Sequence, residues 1–325
     1  MKNFKYLQPK TLEEAGSFLR KNNKTALPFA GGTDLLGMMK DYLESPENVV
    51  NLKSIPGLTK IEFHEGSGLE IGSLVSLVEI AENKLINEKY TILAQAAKDI
   101  ASPQFRNIAT LGGNLCQRPR CFYFRGDFHC IRKGGDICYA VDGQNKYHCI
   151  AGGGPCYIVH PSDTAVALLA LNAEVSIYAN GKSRRIPLKE FFILPEKNHT
   201  KENILEPGEI VEKIFVPVLP KGTVSRYIKI MEREVWDFAL VSIGAVVTKN
   251  NGRISNGRIA FGGVAPVPWE IESLNEKLNG FTPNESNITE LSKDIFKSAF
   301  TLEHNAYKVP LARNLLKRIL TDLSV

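Results

Sequence analysis

The six cysteines of this 325-residue chain all lie in one window of the sequence, at positions 116, 121, 130, 138, 149 and 156. A secreted disulfide scaffold usually spreads its cysteines along a short chain, whereas thiols crowded into one part of a long chain indicate a metal or cluster site. The window is rich in glycine, arginine and aromatic residues and has the period of neither a strand nor a helix. We therefore predict a structured insertion over residues 116–156 that is held together by a metal centre.

The spacing of these cysteines does not identify the metal. Structural zinc sites prefer closely spaced cysteine pairs, and only Cys116 and Cys121 approach that pattern. The tightly spaced cysteine run of bacterial ferredoxins is also absent. From spacing alone, a zinc-stabilised binding module is an open alternative to an iron–sulfur protein.

Charge and hydropathy exclude two classes of protein. A net charge of +5 is mild, and nucleic-acid binding would call for a strongly basic face with interleaved aromatic residues. The sequence contains no apolar run near the ~20 residues that cross a bilayer. Its first residues lack the apolar core and cleavage site of a signal peptide. We expect no nucleic-acid partner, no membrane span and a cytoplasmic location.

Two glycine pairs follow apolar stretches, one in PFAGGTDLL at residues 28–36 and one in ATLGGNL at residues 109–115. Glycine lets a backbone approach a phosphate closely and point consecutive N–H groups at it. Neither loop has the spacing of a Rossmann fingerprint or of a P-loop. A glycine pair alone more often marks a plain turn than a phosphate site, and the sequence predicts a loop over residues 102–115.

Together with HPSDTAVALLALNAEV at residues 160–175 and YIKIMEREVWDFALVSIGAVV at residues 227–247, these motifs resemble the FAD-binding subunits of the xanthine dehydrogenase and carbon monoxide dehydrogenase family. The order and spacing of the motifs match over nearly the whole chain. The resemblance implies an α+β protein with the vanillyl-alcohol-oxidase type of FAD-binding fold. It also implies a C-terminal α+β domain of the carbon monoxide dehydrogenase flavoprotein type. A polar stretch with several prolines ends near residue 220 and predicts a domain boundary there. We therefore predict an FAD-binding domain over residues 1–220, with lobes 1–55 and 56–220. A second domain would cover residues 221–325.

The resemblance also implies which residues hold FAD. The pyrophosphate would lie between the two glycine loops, and Asp163 would hydrogen-bond the ribityl or phosphate end. Lys229 would sit near the flavin ring, where a cation favours the reduced, more negative form, and Ile210 or Val211 would pack on a ring face. The alternative for Lys229 is a solvated lysine at a strand edge that has no role in FAD binding. The loop residues implied in pyrophosphate binding are Ala30, Gly31, Gly32, Thr33, Asp34, Leu35, Thr110, Gly113 and Asn114.

A subset of this family carries a cysteine insertion that binds a 4Fe–4S cluster near the flavin. The chain is similar to two members of it, the β subunit of 4-hydroxybenzoyl-CoA reductase and the FAD subunit of periplasmic aldehyde oxidoreductase. The similarity implies four thiolate ligands. Cys149 is the alternative to Cys156 as the fourth ligand, and Cys116 is not a ligand. The four are Cys121, Cys130, Cys138 and Cys156. The basic residues of the insertion would offset the cluster's negative charge, dock a partner, or form a solvated loop face.

The function implied by the resemblance is that of a redox subunit. It would pass electrons between the 2Fe–2S centres of a small subunit and an external carrier, in a complex whose large subunit binds molybdopterin. Co-export with a partner would give a periplasmic location instead of a cytoplasmic one. A self-contained flavin reductase is a further alternative, which the insertion and the C-terminal domain disfavour. The substrate, the carrier and the direction of electron flow stay open.

Overall fold

The computed structural model describes residues 1–21 and 25–324 and contains three separate sheets. The strands are β1 Lys5–Leu7, β2 Ala26–Phe29, β3 Asn48–Asn51, β4 Ile61–His64, β5 Gly68–Gly72, β6 Glu174–Ala179, β7 Lys182–Pro187, β8 Ile210–Val216, β9 Thr223–Ile230, β10 Val241–Asn250, β11 Arg253–Gly262 and β12 Trp269–Glu270. The helices are α1 Leu12–Lys21, α2 Leu35–Lys40, α3 Leu77–Glu82, α4 Lys84–Lys89, α5 Thr91–Lys98, α6 Pro103–Ile108, α7 Leu111–Leu115, α8 Phe122–Arg125, α9 Asp163–Ala170, α10 Leu188–Phe191, α11 Glu272–Lys277, α12 Glu285–Asp294 and α13 Lys308–Ser324.

The first sheet is a small parallel one with the strand order β1-β3-β2. Its core combines Ala15 and Leu19 of α1 with buried residues of β2 and β3. The same core includes Leu74 and Ile210 from later in the chain. The N-terminal lobe is therefore packed against the segments that carry these two residues, and the end of β2 lies at the junction.

The second sheet is antiparallel, with the order β4-β5-β8-β6-β7. The short helix α3 begins with a complete capping box, in which Ser76 and Glu79 each bond the other's backbone N–H. Helix α9 is buried along its whole length, and after Asp163 and Thr164 all of its residues are apolar, which is typical of a helix inside a core. The sheet and helices α3, α5 and α9 share the largest core of the protein.

The third sheet, in the order β12-β11-β10-β9, forms the C-terminal part of the fold. Alternate residues of β10, such as Ile243 and Val247, join a core that contains the apolar face of α13. Val246 and Tyr227 point to the other face and join the core of α5 and α9. Successive side chains of a strand point to opposite faces of the sheet, so β10 contributes to a core on each face. The sheet thus places β9 next to the FAD-binding part of the chain.

The segment 102–115 differs from the loop that its sequence predicts, because it forms α6 and α7. Pro103 stands at the first turn of α6, where its missing N–H costs nothing. Thr110 caps α7 by accepting a hydrogen bond from the backbone N–H of Gly113 at 3.2 Å. The glycine pair therefore lies inside a short capped helix, where glycine is otherwise unfavourable.

The cysteine insertion has little regular structure, as predicted: it contains only α8 and a 3₁₀ turn at Ile131–Lys133. Its second half is fastened to the C-terminal part of the fold. Asn305 donates to the carbonyl oxygens of His148 and Cys149 at 3.3 and 2.9 Å. The fully buried Lys308 donates to the carbonyl oxygens of Tyr147 and Gly263 at 3.1 and 2.6 Å. Burial lowers the pKa of Lys308 to about 7, and a neutral amine has two N–H groups for these two acceptors.

Candidate functional site

The first glycine loop follows β2 and leads into α2. A Cβ atom at Gly31 would stand 2.2 Å from the carbonyl oxygen of Ile108, so only glycine allows this backbone to touch the chain that precedes α7. Gly32 has φ +71°, and a Cβ atom there would stand 2.6 Å from the ring of Phe29. Both positions therefore need glycine for the shape of the loop itself. The two glycine loops, which the sequence shows as separate motifs, meet backbone to backbone.

Between the two loops lies a cavity of about 250 Å³, which we call the loop cavity. It is lined by most of the residues that were predicted to hold the pyrophosphate, and also by Ile210 and Val211. The predicted residues on its wall are Ala30, Gly31, Gly32, Thr33, Asp34, Leu35, Thr110 and Gly113.

Asn114, from the end of the second loop, ties that loop to the HPSD motif. Its carboxamide oxygen accepts from Ser162 Oγ at 2.6 Å and from Thr164 Oγ1 at 2.5 Å. All three side chains are buried, where hydrogen bonds of this kind rigidify a site. Asn114 lines a second cavity, of about 260 Å³, which also contains Lys229 and which we call the lysine cavity.

Lys229 is not a solvated lysine at a strand edge: its side chain is only 1% exposed. Its ammonium group lies 2.8 Å from Asp163 Oδ2 and donates to the carbonyl oxygen of Asp99 at 3.1 Å. The other oxygen of Asp163 accepts from the hydroxyl of Tyr227 at 2.6 Å. Burial and the nearby carboxylate of Asp163 raise the pKa of Tyr227 well above its usual value, so this hydroxyl stays a donor. Burial, followed by the charge of Asp163, also raises the pKa of Asp99.

Ile210 and Lys229 do not share a cavity. Ile210 lies in the loop cavity, whereas Lys229 lies in the lysine cavity, and the walls of the two cavities meet at Thr33, Asp34, Gly113 and Gln117. A ligand that touches both residues must therefore extend past the glycine loops.

A third cavity, of about 260 Å³, adjoins the lysine cavity and shares Asp163 and Arg120 with it. We call it the histidine cavity because His148 and His160 line it. Burial lowers the pKa of His148 to about 4 and that of His160 to about 3, so both rings are neutral at physiological pH.

Five of the six cysteines influence one another's pKa. Cys138 shares a hydrogen bond with Cys156. Burial, and after it the charges of Cys138 and Cys130, raise the pKa of Cys121, and burial followed by the charge of Cys138 raises the pKa of Cys149. The shared hydrogen bond lowers the pKa of Cys138 to about 6 and raises the pKa of Cys156. Cys116 instead lies in the loop cavity, and burial raises its pKa to about 12.

The part of the chain that the structure describes contains no group of three or more His, Cys, Asp or Glu side chains arranged around a single metal ion. His148 was not singled out from the sequence, yet its Nε2 lies 3.2 Å from the sulfur of Cys121. The window contains two histidines, His129 and His148, and nothing in their spacing marks either of them as a partner of a cysteine. Tyr227 was missed for the same reason, since nothing in YIKIMER marks its hydroxyl as a partner of Asp163.

Comparison with known proteins places the chain in a family. Residues 2–219 match the model of the FAD binding domain in molybdopterin dehydrogenase, and residues 226–323 match that of the CO dehydrogenase flavoprotein C-terminal domain. The chain belongs to the FAD-binding subunits of the molybdenum hydroxylases. This confirms the family and the fold predicted from the four motifs.

Relatives along the full length agree with this assignment. The chain is 35% identical to the aldehyde oxidoreductase FAD-binding subunit PaoB of Escherichia coli K12, over 99% of this chain and 98% of that protein. It is 29% identical to the carbon monoxide dehydrogenase medium chain of Hydrogenophaga pseudoflava, over 98% and 96%. A solved structure of carbon monoxide dehydrogenase from that organism superimposes with a TM-score of 0.78 at 26% identity, covering 98% of this chain and 96% of that one.

The protein is therefore an oxidoreductase subunit that binds FAD within a molybdenum hydroxylase complex. The descriptions of the two family models name a flavin and no iron–sulfur cluster, so the cluster stays a prediction from the cysteines. Within residues 1–21 and 25–324, none of the helices is long and apolar enough to cross a membrane. The cytoplasmic location also stays a prediction.

Proposed function

We propose that this subunit transfers electrons between FAD and the 2Fe–2S centres of a small partner subunit, and between FAD and an external carrier. The relatives are named as FAD-binding subunits and medium chains of aldehyde oxidoreductase and carbon monoxide dehydrogenase. A medium chain implies a small and a large partner, and the large one would carry the molybdenum centre. The observation that carries the proposal is the contact of the two glycine loops above a cleft that leads to Asp163 and Lys229.

The chemistry of this cleft suits FAD. The first loop offers backbone N–H groups to the pyrophosphate at Ala30–Leu35. The second loop would close over it with Thr110, Gly113 and Asn114, although the N–H groups of Gly113 and Asn114 already bond Thr110. The lysine cavity offers Asp163 and Lys229 to the flavin end. The sequence predicts Ile210 or Val211 on a face of the flavin ring near Lys229, but these residues line the loop cavity and Lys229 lines the other one. We therefore assign Ile210 and Val211 to the adenine end instead. Bound FAD supplies the ability to exchange electrons both in pairs and singly.

The protein's own contribution is electrostatic and positional. Lys229 is held in place by Asp163 and by the Asp99 carbonyl, so its charge does not need to reorient when the flavin gains electrons. Tyr227 fixes the other oxygen of Asp163 and stays protonated. The result is a buried, preorganised cation whose field is partly balanced by one carboxylate.

We further propose that Cys121, Cys130, Cys138 and Cys156 hold a 4Fe–4S cluster. The support is that Cys138 shares a hydrogen bond with Cys156 and that the charges of Cys130 and Cys138 act on Cys121, while Cys116 lines the loop cavity. Thiolates are the ligands that iron–sulfur clusters use.

Cys149 remains the reserve for the fourth ligand, because it also interacts with Cys138. Single serine variants distinguish the two assignments through iron and sulfide content and the electron paramagnetic resonance signal of the reduced protein. Loss of the cluster in Cys156→Ser and its retention in Cys149→Ser would support our choice, and the reverse would transfer the role to Cys149. Cys116→Ser is the matched control and should keep its iron. A colourless protein that contains zinc and no flavin would refute the whole proposal.

The flavin itself is tested by reconstitution. Flavin-free protein should bind FAD and regain the absorbance of a bound flavin, and Gly31→Val should fail to bind because the loops can no longer touch. Gly37→Val is the control, since a Cβ atom at Gly37 meets no other atom within 4 Å.

The boundary between the two domains at residue 220 is likewise a proposal, supported by the gap between the two matched segments.

A further inference from the structure

Asp34, in the first glycine loop, is held by arginines of the cysteine insertion. Its Oδ1 lies 2.7 Å from the guanidinium of Arg120 and 2.8 Å from that of Arg125. Its Oδ2 accepts from the backbone N–H of Arg118 at 2.8 Å. The insertion therefore reaches across the cleft to the predicted pyrophosphate loop, and its arginines are not a solvated face.

These contacts belong to a larger ion-pair network. Arg118 lies 3.1 Å from Glu44 and 3.0 Å from Glu202, and Glu202 is also paired with Arg132. Within the described residues, the ion pairs of this network join four guanidinium groups to three carboxylates, Asp34, Glu44 and Glu202. Four positive and three negative groups leave a surplus of one positive charge.

The surplus lies where water has little access. The side chains concerned are between 1% and 30% exposed, and buried charges are costly unless they are paired. Burial is the main cause that lowers the pKa of Arg120, to about 10. Burial also raises the pKa of Glu44, which makes its negative charge harder to keep. A further anion at this place would relieve the imbalance.

The surplus positive charge lies beside the predicted pyrophosphate site. Arg118 lines the loop cavity, Arg120 lines the lysine cavity, and Asp34 lies on the wall that both cavities share. Both glycine loops meet at the same wall. Within the described residues, Arg120 has no carboxylate partner other than Asp34, which it shares with Arg125.

We propose that the arginine network supplies the counter-charge for the pyrophosphate of FAD, and that Arg120 is the residue of the network that binds it. This inference rests on the proposed function. It means that the cysteine insertion completes the FAD site: its arginines neutralise the acidic residue in the glycine loop and leave one cation for the phosphates.

The first test measures FAD affinity of flavin-free protein by fluorescence titration. Arg120→Gln should raise Kd by roughly 10- to 100-fold, the effect of losing a hydrogen bond to a charged group. Lys133→Gln is the matched control, because it removes one positive charge from an exposed part of the same insertion, where Lys133 bonds only the Gly126 carbonyl. It should leave Kd unchanged. An equal loss of FAD affinity in Arg120→Gln and Lys133→Gln would show that only the overall charge of the protein matters, and would overturn the proposal.

The second test follows the charge count. Asp34→Asn removes a negative charge while its side-chain oxygen can still accept from the Arg118 backbone, so FAD should bind more tightly. The double variant Arg120→Gln/Asp34→Asn returns the network to a surplus of one and should recover part of the lost affinity, because the surplus charge is restored while the contact made by Arg120 is not. A double variant as weak as Arg120→Gln alone would overturn the proposal. Failure of the unmodified protein to bind FAD would instead refute the proposed function.

Correct folding is checked independently of FAD. Circular dichroism and thermal unfolding of the flavin-free variants should match the parent protein. If Arg120→Gln does not fold, Arg120→Lys decides the question, because it keeps the charge and loses only the planar fork. Arg120→Lys should fold and bind FAD within a few-fold of the parent. Parent-like stability combined with complete loss of FAD in Arg120→Lys would overturn the charge argument.

Discussion

Replacement of Lys229 by Met tests whether the buried pair with Asp163 organises the cleft. Met is similar in length and has no charge, so it fills the space and leaves the carboxylate without its cation. Both side chains are at most 6% exposed, and the ammonium and carboxylate groups are 2.8 Å apart. Removing one partner of such a pair costs about 3–5 kcal/mol, because a buried charge is left unpaired. An exposed pair would cost less than about 1 kcal/mol.

The assay is urea unfolding of the flavin-free protein, with the free energy of unfolding taken from the midpoint and the slope. The double variant Lys229→Met/Asp163→Asn is the control, since it removes both charges. It should be less destabilised than Lys229→Met, because Asn still accepts the hydroxyl of Tyr227 and no charge is stranded.

The pH dependence gives an independent check. The loss in Lys229→Met should be largest above neutral pH and shrink towards pH 5, because a proton on the stranded carboxylate removes the buried charge. A cost below about 1 kcal/mol with no pH dependence would refute the buried pair and favour a solvated lysine.

Further outcomes follow from the same structure. FAD should be released completely by acid precipitation, because neither glycine loop contains a histidine, cysteine or tyrosine that could attach the ring; flavin in the pellet would contradict this. In the FAD-loaded protein, Lys229→Met should lower the flavin reduction potential and Asp163→Asn should raise it. Each 1.4 kcal/mol of altered charge stabilisation shifts the potential of a two-electron couple by roughly 30 mV. Dye equilibration measures these potentials, and shifts of the same sign in both variants would contradict the assignment. The pKa of Lys308 falls from 10.5 to about 7 on folding, so the unfolded chain holds the extra proton between these values and stability should rise with pH across that range. Urea unfolding of Lys308→Met should lack that rise, and an unchanged pH profile would show that Lys308 stays protonated.

Much of the site could be predicted from short segments of the sequence. The two glycine loops and the capping box at Ser76 depend on residues within a few positions of one another, and such signals are local. The family resemblance rested on four such segments in order, and the comparisons confirm it. The sequence does not predict the helices of residues 102–115, because a glycine pair normally indicates a turn. The cap at Thr110, the contact with Gly31 and the burial of Leu111 and Leu115 stabilise α7.

What the sequence by itself determined is therefore the family, the FAD-binding fold and the presence of a cysteine window of unusual composition. The tertiary structure alone decided which charges are paired and where the cavities lie. Lys229 meets Asp163 across 66 positions of the chain, and Arg120 meets Asp34 from another part of the fold. The periodicity of a sequence reports which face of an element is buried, but not which element covers it. The surplus charge beside the glycine loops, and with it the role of the insertion in the FAD site, exists only once these distant segments are folded together.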